Sequence, residues 1–416
     1  MILIQLPRSK SIGARYLVAT YFAGTLPADP LFEENDDLML LQQALLEIYS
    51  DEEPIDFGDS PINVGASGTA LRFVTSVCAS CEGADYVVTG TPRLMQRPML
   101  PLIEILKDAG AVIDILGENG TGPYRVKGNK LEGGVFSIRS DISSQFISAL
   151  MLVSPSWSKG MNLTFQNLPV SRPYIEMTAS LMSKFGIKVN LTDNQVEVYP
   201  GKYIEPNKFT VESDWSSAAF FYEACAFGAE EILLENLISP DNSLQGDAIA
   251  ANLFEKLGVS SSFDKKGTLL KRDCEFSHRI EVDFKNCPDL MLPIALACLG
   301  RGIHFNFTNI SHLRLKESDR INSLQQEAKK LGFVVDSGDN FVEWSGKTIE
   351  REKDILIDPH DDHRVAMSFA MTALYLGEIR IKNPEVVEKS FVDFWNQLQN
   401  LGLSCKESNN IMIVSK

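Results

Sequence analysis

The chain has 416 residues, 44% of them hydrophobic, enough for large cores and too many for one ordinary domain, so two or three domains are expected. Its 39 Lys and Arg face 55 Asp and Glu, a formal charge of −16. That balance argues against a nucleic-acid partner and requires any anionic ligand to find a locally cationic site. Among seven cysteines, Cys78 and Cys81 form the one close pair, with no second pair or nearby His to complete a zinc site, and all read as free thiols of a reducing cytosol. The opening "MILIQLPRSKS" has no charged leader, and no apolar run nears the ~20 residues of a membrane span, so a soluble cytoplasmic protein is expected.

Two kinds of helix alternate along the chain. One is apolar on nearly every side, hence buried, and opens with small or polar residues; the other is amphipathic and usually ends in Gly before a short strand. In order they are buried "SKSIGARYLVATYFAG" and amphipathic "DLMLLQQALLEIYSD" from Asp37, then "ASGTALRFVTSVCAS" and "LPLIEILKDAGAVIDIL" from Leu100. Next come "SSQFISALMLVSP" and "YIEMTASLMSKFGIKVNL" from Tyr174, then "DWSSAAFFYEACAFG" and "DAIAANLFEKLGVSSSF" from Asp247. The last pairs are "CPDLMLPIALACLG" with "RINSLQQEAKKLGFVVD" from Arg320, and "DDHRVAMSFAMTALYLG" with "FVDFWNQLQNLGLSCK" from Phe391. The buried type starts near residues 9, 67, 143, 214, 288 and 361, a spacing longer than that of a stacked solenoid. Six compact α/β units, three to a domain, fit this pattern, with "NKFTVESDWSS" at 207–217 the expected crossing between domains.

The suggestive cations sit at helix beginnings: Lys10 and Arg15, Arg72, Arg320 and Arg364, with Arg97 and Lys389 just ahead of helices. Pro98 is expected in a first helical turn. Helix N-termini already carry positive dipole ends and unpaired N–H groups, so cations placed there signal a bound anion. Taken singly, Arg72, Arg139 and Arg172 read as surface ion pairs. Hydroxyls and glycines in "SKS", "GASGT" and "SSQ" suit phosphate oxygens, although none forms a Walker or Rossmann loop. In "LRLKESDR" at 313–320, Ser318 is the expected N-cap of the following helix, Ile321, Leu324, Ala328 and Leu331 its apolar stripe, and Arg314 with Asp319 a local ion pair. Asp289 and Glu317 are the outstanding acids among these cations, candidates for proton transfer between anionic small molecules.

These motifs, from "LPRSKSIGAR" through "GASGTALRF", "PRLMQRP", "DISSQFISALML", "SRPYIEMT", "VESDWSSAAFF", "PDLMLPIALA", "LRLKESDRI" and "DDHRVAMSFA" to "EKSFVDFW", resemble the EPSP synthase family of enolpyruvyl transferases over nearly the whole chain. The resemblance implies a two-domain, inside-out α/β (α+β) fold of six βαβαββ units with the active site in an interdomain cleft. It assigns residues 10–213 to the N-terminal domain, and 1–9 with 214–416 to the C-terminal one. It implies transfer of the enolpyruvyl group of phosphoenolpyruvate to the 5-hydroxyl of shikimate 3-phosphate in aromatic amino acid biosynthesis, by a monomer without cofactor or metal. Residue by residue, Lys10, Ser11, Arg15, Ser143, Ser144, Gln145, Ser171, Tyr174, Asp289, His312 and Lys316 would meet shikimate 3-phosphate. Lys10, Gly68, Arg97, Gln145, Arg320, Arg364 and Lys389 would meet phosphoenolpyruvate. Asp289 would be the base for the hydroxyl and Glu317 the proton shuttle at C3, assisted by Lys10. Gly68, without a side chain, implies a pocket open to glyphosate.

Departures from the family pattern are Arg8 in place of a Gly, Ala66 in place of an Asn, and His312 where Asn commonly binds shikimate 3-phosphate. The first unit is the shortest, and a strand usual at the N-terminus is expected to be missing, at the expense of C-terminal domain stability. Two rivals are a transferase acting on UDP-N-acetylglucosamine, against which "GTPRLMQRP" lacks the usual Cys, and a non-catalytic anion-binding repeat protein.

Overall fold

A computed structural model of the chain describes residues 1–49, 61–229, 231–273 and 275–416. The chain divides into two compact units, Lys10–Val211 and a second made of Met1–Ser9 with Glu212–Lys416.

In the first unit, the leading repeat holds α1 (Lys10–Ala23) and α2 (Asp36–Tyr49); Ser50 and Asp51, expected to extend α2, lie outside the described residues. The second repeat holds α3 (Gly68–Ser80), a short α4 (Pro92–Met95) and α5 (Leu100–Asp108) beside a sheet ordered Ile62–Asn63, Asp85–Thr89, Tyr124–Lys127, Val112–Ile115. The third holds α6 (Ser144–Val153) and α7 (Arg172–Lys184) beside a sheet ordered Gly134–Ile138, Met161–Phe165, Gln195–Val198, Val189–Leu191.

The second unit repeats the plan three times. Helices α8 (Trp215–Ala226) and α9 (Ala250–Glu255) accompany the strands Ile2–Gln5, Ile232–Glu235, Gly267–Arg272 and Val259–Asp264. Next, α10 (Met291–Arg301) and α11 (Arg320–Lys330) accompany Arg279–Asp283, His304–Thr308, Phe341–Trp344 and Asp336–Ser337. Last, α12 (His363–Met371), a short α13 (Ala373–Leu376) and α14 (Phe394–Asn400) accompany Leu356–Ile357, Glu378–Lys382, Ile411–Ser415 and Ser404–Ser408. In every sheet the first pair is parallel and the other two antiparallel. A parallel pair needs a crossover, which carries the buried helix α3, α6 or α10 in three of the five sheets and α12 with α13 in a fourth.

The helices obey the apolar pattern that predicts them. Every residue of α8 and of α12 is buried, as is Met291–Leu299 of α10, and these three pack on one another at the centre of their unit. Amphipathic α11 buries Ile321, Leu324 and Ala328, with Leu331 at its C-cap.

Six helix pairs are present, and five four-stranded sheets are formed among the described residues; residues 50–60 of the first repeat lie outside them. Between α1 and α2 the segment 24–35 carries Pro27 and Pro30, which lack ladder donors. The Gln42 side chain holds it instead, donating to Pro27 O and Asp29 O at 2.8 Å each and accepting from Leu31 N at 2.9 Å. The N-terminal strand expected to be missing is present: Ile2–Gln5 lies parallel to Ile232–Glu235, because its alternation buries Ile4 against the α8 core. Cys78, Cys81, Cys225, Cys287, Cys298 and Cys405 are free thiols, and Cys274 lies outside the described residues. No described helix is long and apolar enough to cross a membrane.

Candidate functional site

The predicted site residues fall into two clusters, one in each unit. In the Lys10–Val211 unit, Lys10 opens α1 and its Nζ lies 3.2 Å from Asp37 Oδ2. One and a half turns on, Arg15 points into the helix packing and is 2% exposed. Its guanidinium donates to Thr178 Oγ1 at 2.6 Å, Ser148 Oγ at 3.0 Å, Ser11 O at 2.6 Å and Tyr174 O at 3.2 Å, and lies 6.0 Å from the Tyr174 ring centre. These acceptors are uncharged. Burial, only partly offset by Tyr174, lowers its pKa to about 10, so the cation is desolvated with no carboxylate among the described residues to balance it.

Ser67 caps α3 by accepting from Ala70 N, and Ser143 caps α6 by accepting from Gln145 N. Gln145 joins the two helix starts: its Nε2 donates to Thr69 Oγ1 at 3.0 Å and its Oε1 accepts from Arg72 Nη1 at 3.0 Å. Ser144 and Ser171 are buried; Ser171 stands before α7 at φ 55 with its hydroxyl capping nothing. Gly68 is where two arginines converge, since a Cβ there would lie 2.4 Å from Arg97 Nη1 and 2.6 Å from Arg72 Nη1. Pro98 lies outside the helix it was expected to open, because α5 starts at Leu100 with Pro101 in its first turn.

In the other unit, "LRLKESDR" forms a 3₁₀ turn, Ser311–Leu315, leading into α11. Arg320 is 2% exposed and bridges three carboxylates: Asp289 Oδ1 at 2.7 Å, Glu317 Oε2 at 3.1 Å and Asp362 Oδ2 at 2.8 Å. Burial opposes its charge, but Asp362, Asp289 and Glu317 outweigh that and hold it firmly protonated. Asp289, in the 3₁₀ turn leading into α10, also receives Arg364 Nη2 at 3.0 Å and lies 3.8 Å from Lys316 Nζ. Burial pushes its pKa up, yet Arg364, Lys316 and Arg320 together hold the carboxyl well below its ordinary range. Glu317 Oε1 lies 3.5 Å from Lys389 Nζ. His312 is buried; desolvation and then Lys316 bring its pKa down to about 4, leaving the ring neutral at physiological pH, and its Nε2 has no hydrogen-bond partner among the described residues.

The structure corrects several local readings. Asp319, not Ser318, caps α11 by accepting from Asn322 N, while Ser318 Oγ donates to Asp362 Oδ2 at 3.2 Å. Either side chain suits an N-cap; the buried carboxylate across the fold decides between them. Arg72 is no surface ion pair, being 2% exposed and bonded to Gly68 O and Gln145. Arg139 and Arg172 do pair at the surface, with Asp141 and Glu176, and Arg314 pairs with Asp319 at 3.0 Å. Sequence reasoning passed over Asp362, which caps α12 through Arg364 N and grips Arg320; its place as N-cap in "DDHR" was the available signal. It also passed over Asp247, bonded by Ser216 Oγ and pushed up to about 7 by burial and by the charge of Asp289.

A family model described as EPSP synthase (3-phosphoshikimate 1-carboxyvinyltransferase) matches residues 42–398. A 3-phosphoshikimate 1-carboxyvinyltransferase of Bacteroides fragilis is 35% identical over 97% of this chain and 96% of its own length. One from Photobacterium damsela subsp. piscicida is 30% identical over 96% of each. Among solved structures, EPSP synthase from Acinetobacter baumannii superposes with a TM-score of 0.71 at 24% identity, covering 99% of this chain and 97% of that one, and supports the fold. With the family model spanning most of the chain and relatives aligned along nearly its full length, the chain belongs to the EPSP synthase (3-phosphoshikimate 1-carboxyvinyltransferase) family.

Proposed function

We infer that the chain transfers the enolpyruvyl group of phosphoenolpyruvate to the 5-hydroxyl of shikimate 3-phosphate, releasing phosphate, and that both clusters take part. The observation that carries this reading is Arg320, whose guanidinium joins Asp289 and Glu317, the two carboxylates assigned to proton transfer, inside a group of cations. Lys10, Ser11, Arg15, Ser143, Ser144, Gln145, Ser171, Tyr174, Asp289, His312 and Lys316 receive shikimate 3-phosphate. Lys10, Gly68, Arg97, Gln145, Arg320, Arg364 and Lys389 receive phosphoenolpyruvate. The two substrates repel each other until these cations neutralise them, and each charge-assisted hydrogen bond contributes roughly 1.5–3 kcal/mol.

Asp289 takes the 5-hydroxyl proton as that oxygen bonds to C2, while Glu317, with Lys10 assisting, delivers a proton to C3. The C2–O bond to phosphate then breaks, C3 returns its proton to Glu317, and phosphate leaves as the double bond re-forms. With Arg364, Lys316 and Arg320 all holding it, Asp289 is a weak base. Substrate carboxylate and phosphate groups compete for those cations, loosen their hold and raise the basicity of Asp289 when the hydroxyl is present. Tight orientation of hydroxyl against enol carbon supplies a further entropic gain. The reaction needs no metal or cofactor, and we assign it to a single chain in the cytoplasm.

The test is phosphate release from purified protein mixed with both substrates. Release with shikimate 3-phosphate and none with UDP-N-acetylglucosamine is the expected result. Binding of both ligands without release above a blank would overturn it in favour of an anion-binding module.

A further inference from the structure

Helix α11 meets the segment 356–362 at two places. At its start, Arg320 and Ser318 hold Asp362. Two turns later, Glu327 does something the proposed chemistry does not use. Its carboxylate, 1% exposed, accepts from the Asp358 backbone N–H at 3.1 Å and from Lys330 Nζ at 2.6 Å through Oε2, and faces His360 Nε2 at 3.1 Å through Oε1. Lys330 also donates to Leu356 O at 2.8 Å. Asp358 in turn accepts from His360 N at 2.9 Å and from Lys382 Nζ at 3.2 Å.

The backbone these bonds hold is unusual. His360 and Asp361 stand at φ 52 and 58, two consecutive left-handed residues, neither of them glycine. Side chains disfavour that conformation, and it persists where surrounding bonds over-determine it. The turn it makes leads straight to Asp362, which grips Arg320 and caps α12, and to Arg364, which grips Asp289. A small rotation at 360 or 361 swings both side chains.

We propose that Glu327 is a positioning residue for the transfer reaction, fixing the left-handed turn at His360–Asp361 so that Asp362 and Arg364 are aimed at the anion cluster. This rests on the assignment of Arg320 and Arg364 to phosphoenolpyruvate. Glu327 touches no substrate; it acts through the turn.

The experiment pairs kinetics with hydrogen exchange on the full chain, using E327A and E327Q. In E327A, backbone exchange across 358–364 rises at least about tenfold while 320–326 stays protected. KM for phosphoenolpyruvate rises about tenfold, with KM for shikimate 3-phosphate within about twofold of wild type. In E327Q most of both effects is reversed, because a carboxamide oxygen still accepts from Asp358 N–H and Lys330 and its NH2 can face the imidazole. Unchanged exchange at 358–364 in folded E327A overturns the proposal. So does a parallel rise in both KM values that tracks a fall in melting temperature, which is what a merely structural residue would give. If E327A does not fold, H360A replaces it: about threefold faster exchange confined to the turn supports the proposal, and no change overturns it. Absence of phosphate release from wild type would instead indict the functional reading, with the exchange arm still deciding whether Glu327 holds the turn.

Discussion

Arg15 and Arg320 are equally withdrawn from solvent, 2% exposed each, and are held in opposite ways. Arg320 is enclosed by Asp289, Glu317 and Asp362, so its charge is balanced before any ligand arrives. Among the described residues Arg15 is held by hydroxyls and carbonyls alone, which fix its orientation and leave its charge unbalanced. One unit therefore keeps a cation whose charge an incoming anion can satisfy directly. The other keeps a cation that an incoming anion must win from carboxylates, two of which, Asp289 and Glu317, are the proposed acid–base groups. The first arrangement favours binding; the second links binding to reactivity.

The contrast is sharpest in stability. R320M strands Asp362 and Asp289 in buried surroundings and should cost about 3–5 kcal/mol in urea unfolding. R15M leaves only neutral partners behind, and its stability should fall by less than about 2 kcal/mol. Its main effect should appear instead as a ten- to hundredfold rise in KM for shikimate 3-phosphate, on the order of 1.4–2.7 kcal/mol. Equal stability losses in the two variants would break the comparison.

Next in size is catalysis. D289N and E317Q should each lower kcat by at least ~100-fold while both substrates still bind, as read by phosphate release and by calorimetry. Near-normal turnover would remove the acid–base roles assigned to the carboxylates around Arg320.

Glu223 extends the comparison to a buried acid with no counter-charge among the described residues. It lies within α8, fully buried, neither carboxylate oxygen has a hydrogen-bond partner among the described residues, and burial pushes its pKa well above the ordinary range. A carboxyl whose folded pKa is raised stabilises the fold below its unfolded pKa of ~4.3 and loses that contribution as pH rises. Relative to E223Q, wild type should therefore lose about 1.4 kcal/mol for each pH unit above ~4.3, until the folded-state carboxyl itself ionises. Denaturant titrations between pH 4 and 8 measure this. Parallel stability profiles for the two proteins would show that Glu223 has a partner after all.

The smallest effect concerns Gly68. A methyl group there must displace the guanidinium ends of Arg97 and Arg72, so G68A should raise KM for phosphoenolpyruvate about three- to tenfold, or 0.7–1.4 kcal/mol. Inhibition of wild type by glyphosate should compete with phosphoenolpyruvate and weaken in the same variant. Unchanged constants would mean that neither arginine depends on the bare backbone at 68.

Local patterns in the sequence carried far because the helices are set by local apolar order. The starts of α1, α3, α6, α8, α10 and α12 follow from where small polar residues give way to apolar runs. Cations at the starts of α1, α11 and α12, Lys10, Arg320 and Arg364, were visible because they contradict helix electrostatics. Pairings between distant segments were not visible. Asp362 meets Arg320 across 42 residues, and a capping aspartate looks the same in sequence whether or not it also holds a buried guanidinium. Arg72 resembled a surface residue because nothing in "GTALRF" reveals that Gln145, 73 positions away, accepts its hydrogen bond. Pro27 and Pro30 did signal that segment 24–35 forms no strand, but the regularity of the helices hid it.

The strand Ile2–Gln5 completes a sheet whose next strand is Ile232–Glu235. Ribosomes build toward the C-terminus, so this strand is made before its partner and waits while all of Lys10–Val211 is synthesised. The Lys10–Val211 unit contains its own helices and sheets and can settle during that interval. The entropic cost of closing so long a loop grows slowly with length, but the search for the partner is not local, and strand pairing of this kind is slow. Until it succeeds, the parallel edge of Ile232–Glu235 remains open to other chains. A strand made before the Lys10–Val211 unit can therefore pair only after that unit has been made, and the sheet it completes is the one exposed in between.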